Sequence, residues 1–326
     1  MQAKDLKHRI LVLVVMLMLA FVGWESRHSI MGVARSLALP KVEPPPAGTI
    51  RFAAIGDYGS GSYTERDVAL VIDSWKPDFV ITLGDNCYTE GGADAIDGTI
   101  GRYYHSYISP YQGSFGPGAM ANRFFPIPGH RDWDHALLQP YLDYFTLPGN
   151  ERYYDVGRGP VHLFMLDTDE REPDGATPTS IQGRWLEQAL ARSAAPWKLV
   201  LAHHAPYTSH QVEDIERMRW PFKDWGADAV LSGYYHVYER LLVDGLPYFV
   251  NGAGGSWVSN FGAIDAHSQF RYNEDYGAML VDASETRIKF RFVNRGGKII
   301  DEYLLTKDRA GANPTGVPEG SGATPR

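Results

Sequence analysis

The sequence predicts an α/β fold of mixed sheets with a metal site at the carboxyl ends of its strands. Three observations carry that expectation. Near-continuous runs of β-branched and aromatic residues recur, and five of them end abruptly in Asp, His or Tyr, as strands buried on both faces do when they open into loops. Helical periodicity fills some of the intervals between these runs. Toward the C-terminus the pattern changes to alternating stretches around a Gly296-Gly297 turn, which suits antiparallel strands and a hairpin.

In order, the chain opens with Lys4, Lys7 and Arg9 before the apolar run Ile10 to Trp24. This is the pattern of a secretory signal, or of an uncleaved anchor, over residues 1–25; the run falls short of the ~20 residues that usually span a bilayer. Residues 26–48 read as a linker ending in Pro44, Pro45 and Pro46, which favour extended chain. The folded body is then 49–306. Within it, TIRFAAIGDYG ends at Asp57, FVITLGDNCY at Asp85 and Tyr88, RFFPIPGHRDW at His130 to Asp132, WKLVLAHHAPY at His203 and His204, and ADAVLSGYYH at Tyr234 to His236. ERDVALVIDSW (65–75) and IQGRWLEQALARS (181–193) space their apolar residues for one helical face. The Gly- and Pro-rich stretch 307–326 has the composition of a disordered tail.

Composition narrows the function. The 326 residues are 44% hydrophobic, ample for a core, with net charge −8 and no basic run in the body. That argues against nucleic acid as a partner. It leaves room for an anionic substrate, because bound cations reverse the local field. The one cysteine, Cys87, excludes an internal disulfide; a thiol nucleophile is a weaker reading of its segment than Asp85 and Tyr88 offer. The Gly-rich run 252–255 lacks the strand-then-helix context of a dinucleotide loop and reads as a loop at the site rim.

Residues at strand ends converge in α/β sheets, and carboxylate, imidazole and phenolate together suit iron, zinc or manganese. Each residue alone has a plainer reading. Asp57 and Asp85 could be turn formers or a helix cap, His203 and His204 core histidines, His236 a surface residue, and Tyr88 a half-buried aromatic. All five in this order make a site the better reading.

The ordered set resembles the calcineurin-like metallophosphoesterases, and within them the bacterial type of the purple acid phosphatase branch. The blocks DxG, GDxxY, GNH, a post-strand His and GHxH stand here as Asp57-Tyr58-Gly59, Gly84-Asp85-Asn86-Cys87-Tyr88, Gly129-His130-Arg131, His203-His204 and Gly233-Tyr234-Tyr235-His236. The stretches 149–155 and 218–233 are also similar to bacterial members. The resemblance implies a four-layer α-β-β-α sandwich and two metal ions, iron plus iron, zinc or manganese. Asp57, Tyr88 and His236 would hold the first, Asp85 would bridge, and His204 with His130 and Tyr234 would hold the second. His204 is preferred to His203 because the family's ligand sits two residues before a proline, as His204 does before Pro206.

Three positions depart from the family pattern: His130 replaces an Asn, Arg131 a catalytic His, and Tyr234 the first His of GHxH. Arg131 can stabilise phosphoryl charge but cannot give up a proton; His210 is the candidate substitute donor. The implied function is an exported phosphatase acting on small phosphomonoesters. The alternatives are a catalytically weakened relative that binds metal or a phosphorylated ligand, and a metal-free structural protein.

Overall fold

A computed structural model describes residues 39–40, 42–89, 93–211, 215–308 and the backbone of 315–317. The expected signal or anchor, most of the linker and most of the tail lie outside the described residues. Among those described, no helix is long and apolar enough to cross a membrane.

The strands form two seven-stranded mixed sheets. In the first, β1 (Ile50–Ile55), β2 (Phe79–Thr82) and β3 (Phe124–Phe125) run parallel. β4 (Tyr154–Arg158), β5 (Val161–Met165), β6 (Trp197–Ala202), β7 (Ala229–Ser232), β8 (Tyr238–Val243), β9 (Leu246–Asn251) and β10 (Ser268–Tyr272) make the second, in the order β10-β8-β9-β7-β6-β5-β4. β11 (Gly277–Ala283), β12 (Arg287–Asn294), β13 (Ile299–Thr306) and β14 (Thr315–Val317) return to the first sheet as antiparallel strands, with β11 paired to β1. The four-layer expectation holds: two mixed sheets lie between flanking helices.

The runs that end in Asp, His or Tyr are the parallel strands β1, β2, β3, β6 and β7. β3 is only two residues long because Pro126 and Pro128, in the same run, supply no ladder donor. Strand β14 falls in the stretch expected to be disordered. β13 would otherwise be an open edge, and an open edge pairs with whatever extended chain reaches it.

Helix α1 (Tyr63–Ser74) starts at a reciprocal cap: Ser62 Oγ accepts from Glu65 N at 3.4 Å, and Glu65 Oε2 accepts from Gly61 N at 2.6 Å. It buries Val68, Val71 and Ile72. A short helix, α2 (His130–Asp134), follows β3. Helix α3 (Ile181–Arg192) buries Leu186, Ala189 and Leu190 in a cluster with Phe164, Val200 and Val230 of the second sheet.

The sheets face each other through apolar rings and one ion pair. Tyr238 stacks on Phe292 with centroids 4.2 Å apart, and Phe249 meets Phe290 at 4.8 Å. Arg240 on β8 donates to both oxygens of Asp301 on β13, at 2.7 and 3.1 Å, and Tyr238 Oη donates to the same carboxylate at 2.9 Å. Asn251 Nδ2, at the end of β9, donates to Ala54 O of β1 at 2.9 Å, so the strand ends of the two sheets are tied side by side.

Removing one partner of a buried ion pair strands the other charge. Asp301→Ala is therefore expected to lower unfolding stability by about 3–5 kcal/mol in chemical denaturation, with bound metal per folded chain unchanged.

Candidate metal centre

Three residues of the site end their strands in the left-handed region: Asp57 with φ 55°, Asp85 with φ 53° and Tyr234 with φ 73°. Aspartate tolerates this conformation, whereas a tyrosine pays more for it, of order 1–3 kcal/mol. The turn aims the Tyr234 amide at Asp57 Oδ2, 2.8 Å away. Beside it, Gly84 (φ +87°) and Gly129 let three loops meet. A Cβ on Gly84 would lie 2.5 Å from His203 Nδ1, and one on Gly129 would lie 2.1 Å from Asp85 N.

Two donor groups result. Asp57, Asp85 and His236 place ligand atoms within 4.8 Å of one another, and so do Asp85, His130 and His203. Asp85 belongs to both. In the first group His236 Nε2 lies 3.6 Å from Asp57 Oδ1, and Tyr88 Oη donates to that oxygen at 3.3 Å while standing 3.5 Å from His236 Nε2. In the second, His130 Nδ1 and His203 Nε2 each lie 3.2 Å from Asp85 Oδ1 and 3.1 Å from each other.

The outer contacts point both key imidazoles the same way. His236 Nδ1 is held by Ser256 Oγ at 2.8 Å, and His203 Nδ1 by Leu83 O at 2.7 Å. Each histidine thus turns Nε2 into the site, the arrangement that second-shell partners impose on metal-binding histidines. Asp132 braces the loops from beneath, accepting from Gly129 N at 2.8 Å, Asn86 Nδ2 at 2.8 Å and Asn86 N at 3.2 Å. Burial and the Asp85 charge push its carboxyl up to about 7.

Burial raises the Asp57 carboxyl well above its ordinary value, and Asp85 adds to the rise. Burial also works against ionisation of Asp85, but His203 and His130 outweigh it and hold that group well below the usual range. Burial alone would lower His203; Asp85 and Asp57 outweigh it and push it up to about 10. Burial pushes His236 down to about 3, so it is neutral at working pH and able to donate a lone pair. The Tyr88 phenol is driven far up by burial and by Asp57 and Asp85.

These residues fit cations. The buried Asp85 Oδ2 has no hydrogen-bond partner, and a buried anionic oxygen without one is costly. Around it stand a second carboxylate, a phenol and imidazoles presenting nitrogen, a donor set for iron, zinc or manganese.

The positions expected from sequence divide. Asp57, Asp85, Tyr88, His130 and His236 come together. His203 Nε2 stands beside Asp85 Oδ1, while His204 has its Nδ1 2.8 Å from Thr168 Oγ1 and its ring centroid 6.3 Å from that of His130. The reason is local: consecutive residues leaving β6 point apart, and His203 is the one facing β2. The Tyr234 ring is wedged among His130, His203 and His204, with centroids 5.3, 5.5 and 4.6 Å away. The Arg131 amide donates to Asp85 Oδ1 at 2.9 Å, while its half-exposed guanidinium turns to Asp134 at 3.5 Å. His210 lies with its ring 5.0 Å from Tyr235, and burial lowers its pKa. Sequence reading also missed Ser256 and Trp257, whose signal was the Gly-rich run before them. It missed Arg217 too, whose charge reaches His204 and Tyr234.

A family model for the calcineurin-like phosphoesterase domain matches residues 50–238. The chain belongs to the calcineurin-like phosphoesterase family. Purple acid phosphatase 3 of Arabidopsis thaliana is 26% identical over 343 residues, covering 94% of this chain and 90% of that protein. Tartrate-resistant acid phosphatase type 5 of Rattus norvegicus is 25% identical over 294 residues, covering 78% and 85%. Such relatives are consistent with the purple acid phosphatase branch of this family. Among solved structures, a purple acid phosphatase from yellow lupin (Lupinus luteus) seeds matches with TM-score 0.62 at 18% identity, over 82% of this chain and 56% of that one. The anchor in the inner membrane complex of Plasmodium matches with TM-score 0.64 at 17% identity, over 81% and 90%. At these identities both show the fold. Membership of the calcineurin-like family implies a dinuclear metal site, and the two groups sharing Asp85 are its candidates.

Metal analysis of variants checks the ligand sets. Asp85→Ala is expected to lose both ions, His203→Ala one, and His204→Ala neither. Retention of both ions by His203→Ala with loss of one from His204→Ala would restore the ligand expected from sequence.

Proposed function

We propose that this chain is a metal-dependent phosphatase that hydrolyses small phosphomonoesters, with iron in the first position and iron, zinc or manganese in the second. The observation that carries the reading is one buried carboxylate, Asp85, common to two donor groups. Two cations, when bound, supply positive charge to the phosphoryl oxygens and acidify the attacking water. Asp57, Tyr88 and His236 would hold the first with Asp85; His130 and His203 would hold the second. Tyr88 supports iron: among two carboxylates its phenol keeps its proton, and a highly charged cation is what would remove it.

The protein's own groups set the rest of the chemistry. Ser256 and Leu83 fix the two imidazoles. Asp132 fixes the loops that carry Asp85 and His130. The Arg131 guanidinium, half-exposed and with its charge felt at Tyr234, can balance charge on a bound phosphoryl group. It stays protonated throughout and so cannot protonate the departing oxygen. Esters whose leaving groups need no such help should be the better substrates. The basic flank and apolar run at the N-terminus support export, with removal of the segment or anchoring by it.

The full chain loaded with iron plus zinc or manganese is expected to turn over an aryl phosphomonoester, best at acid pH. No turnover with two ions bound overturns the reading. Tyr88→Phe is expected to abolish any visible absorption of the iron-loaded protein. Arg131→His is expected to raise kcat on alkyl phosphates by up to about 10²-fold, the low end of what a general acid supplies, with little change on aryl phosphates. Equal gains on both would mean that the arginine was obstructing the site rather than lacking a proton.

A further inference from the structure

The loop after β9, Gly252 to Ser259, wraps His236. Ser256 N donates to Asp57 O at 3.2 Å, Ser256 Oγ holds His236 Nδ1, and Ser259 N donates to His236 O at 3.0 Å. The Gly-rich run makes this approach possible: a Cβ on Gly254 would lie 2.2 Å from Gly56 O, and one on Gly252 would lie 2.8 Å from Asp57 Oδ2. The loop ends by laying Trp257 on the metal centre. Its indole stacks on the His236 imidazole with centroids 3.9 Å apart and planes 13° from parallel, and meets the Tyr88 ring at 5.3 Å.

One face of the indole is therefore covered. The residue nevertheless keeps 45% of its surface exposed, which the stacked face cannot supply. An apolar ring held in fixed orientation, with a bare face at the rim of a cation site, is a stacking surface. A group attached to a phosphoryl bound between the two donor clusters could reach it without leaving the site.

Resting on the phosphatase reading, we propose that Trp257 is a specificity residue: its open face receives the aromatic part of the substrate, so the preferred esters are aryl phosphates rather than small alkyl phosphates. Stacking of an aromatic ring on such a platform typically changes affinity by about tenfold. The contact is made by the leaving-group side of the ester, so it adds binding without altering the ligands of either ion.

The test uses the metal-loaded full chain and two inert probes, phenylphosphonate and methylphosphonate, with affinities measured by calorimetry. The parent is expected to bind the phenyl probe about tenfold more tightly than the methyl one, and Trp257→Leu to bring the two within about twofold, with both ions retained. The ratio of kcat/KM on aryl over alkyl phosphates should fall in parallel. If Trp257→Leu does not hold metal, Trp257→Phe, which keeps a ring on His236, decides: its preference for a naphthyl over a phenyl probe must drop below the parent's. An unchanged phenyl preference in Trp257→Leu, or an unchanged naphthyl preference in Trp257→Phe, overturns the proposal while leaving the phosphatase reading intact. Failure of both probes to bind and of both esters to react, with two ions present, overturns the phosphatase reading itself.

Discussion

Two carboxylates buried side by side between the sheets, Asp57 and Asp85, are the constraint that the rest of the molecule answers. Neither is solvated, and each raises the cost of ionising the other. Backbone amides meet part of that cost: Tyr234 N on Asp57 and Arg131 N on Asp85. His203 and His130 meet more of it on the Asp85 side. What they leave is one anionic oxygen, Asp85 Oδ2, with nothing to accept from. The left-handed turns at the ends of β1, β2 and β7 are the conformational cost of bringing these groups to one point. The Arg240–Asp301 pair and the rings around it hold the two sheets in the register that keeps them there.

Two of the three departures from the family blocks, at positions 130 and 234, meet in space. An imidazole at 130 brings Nδ1 to 3.1 Å from His203 Nε2 and 3.2 Å from Asp85 Oδ1. His203, the residue leaving β6 that faces β2, stands 3.2 Å from the same oxygen of Asp85. A tyrosine at 234 then fills the space among the three histidines with an aromatic ring.

The fold and the first donor group were legible in the sequence because both are written in short-range pattern. Buried strands that end in Asp57, Asp85 and His236 announce themselves by hydrophobic runs and by glycines at the turns. That His203 is the one facing β2 and Asp85 was not legible, since adjacent residues carry no mark of which side they face. His210 looked available because six residues of loop impose no direction; its position against Tyr235 follows from the pairing of its backbone with Phe261, a contact distant in sequence. Strand β14 escaped notice because its composition is that of a linker, and only the open edge of β13 gives it a partner.

The missing proton donor and the exposed indole point in one direction. With Arg131 in place of an acid, the rate on an ester depends on how well its leaving oxygen carries charge unaided, and oxygens on aromatic rings carry it best. Aryl esters are also the ones whose leaving group can lie on Trp257. A site that cannot assist departure does best on substrates that need no assistance, and binding on the leaving-group side raises kcat/KM further, up to the diffusional limit. The arginine at position 131 and the apolar surface at position 257, in the roles proposed for them, would therefore select the same class of substrate by independent physical routes.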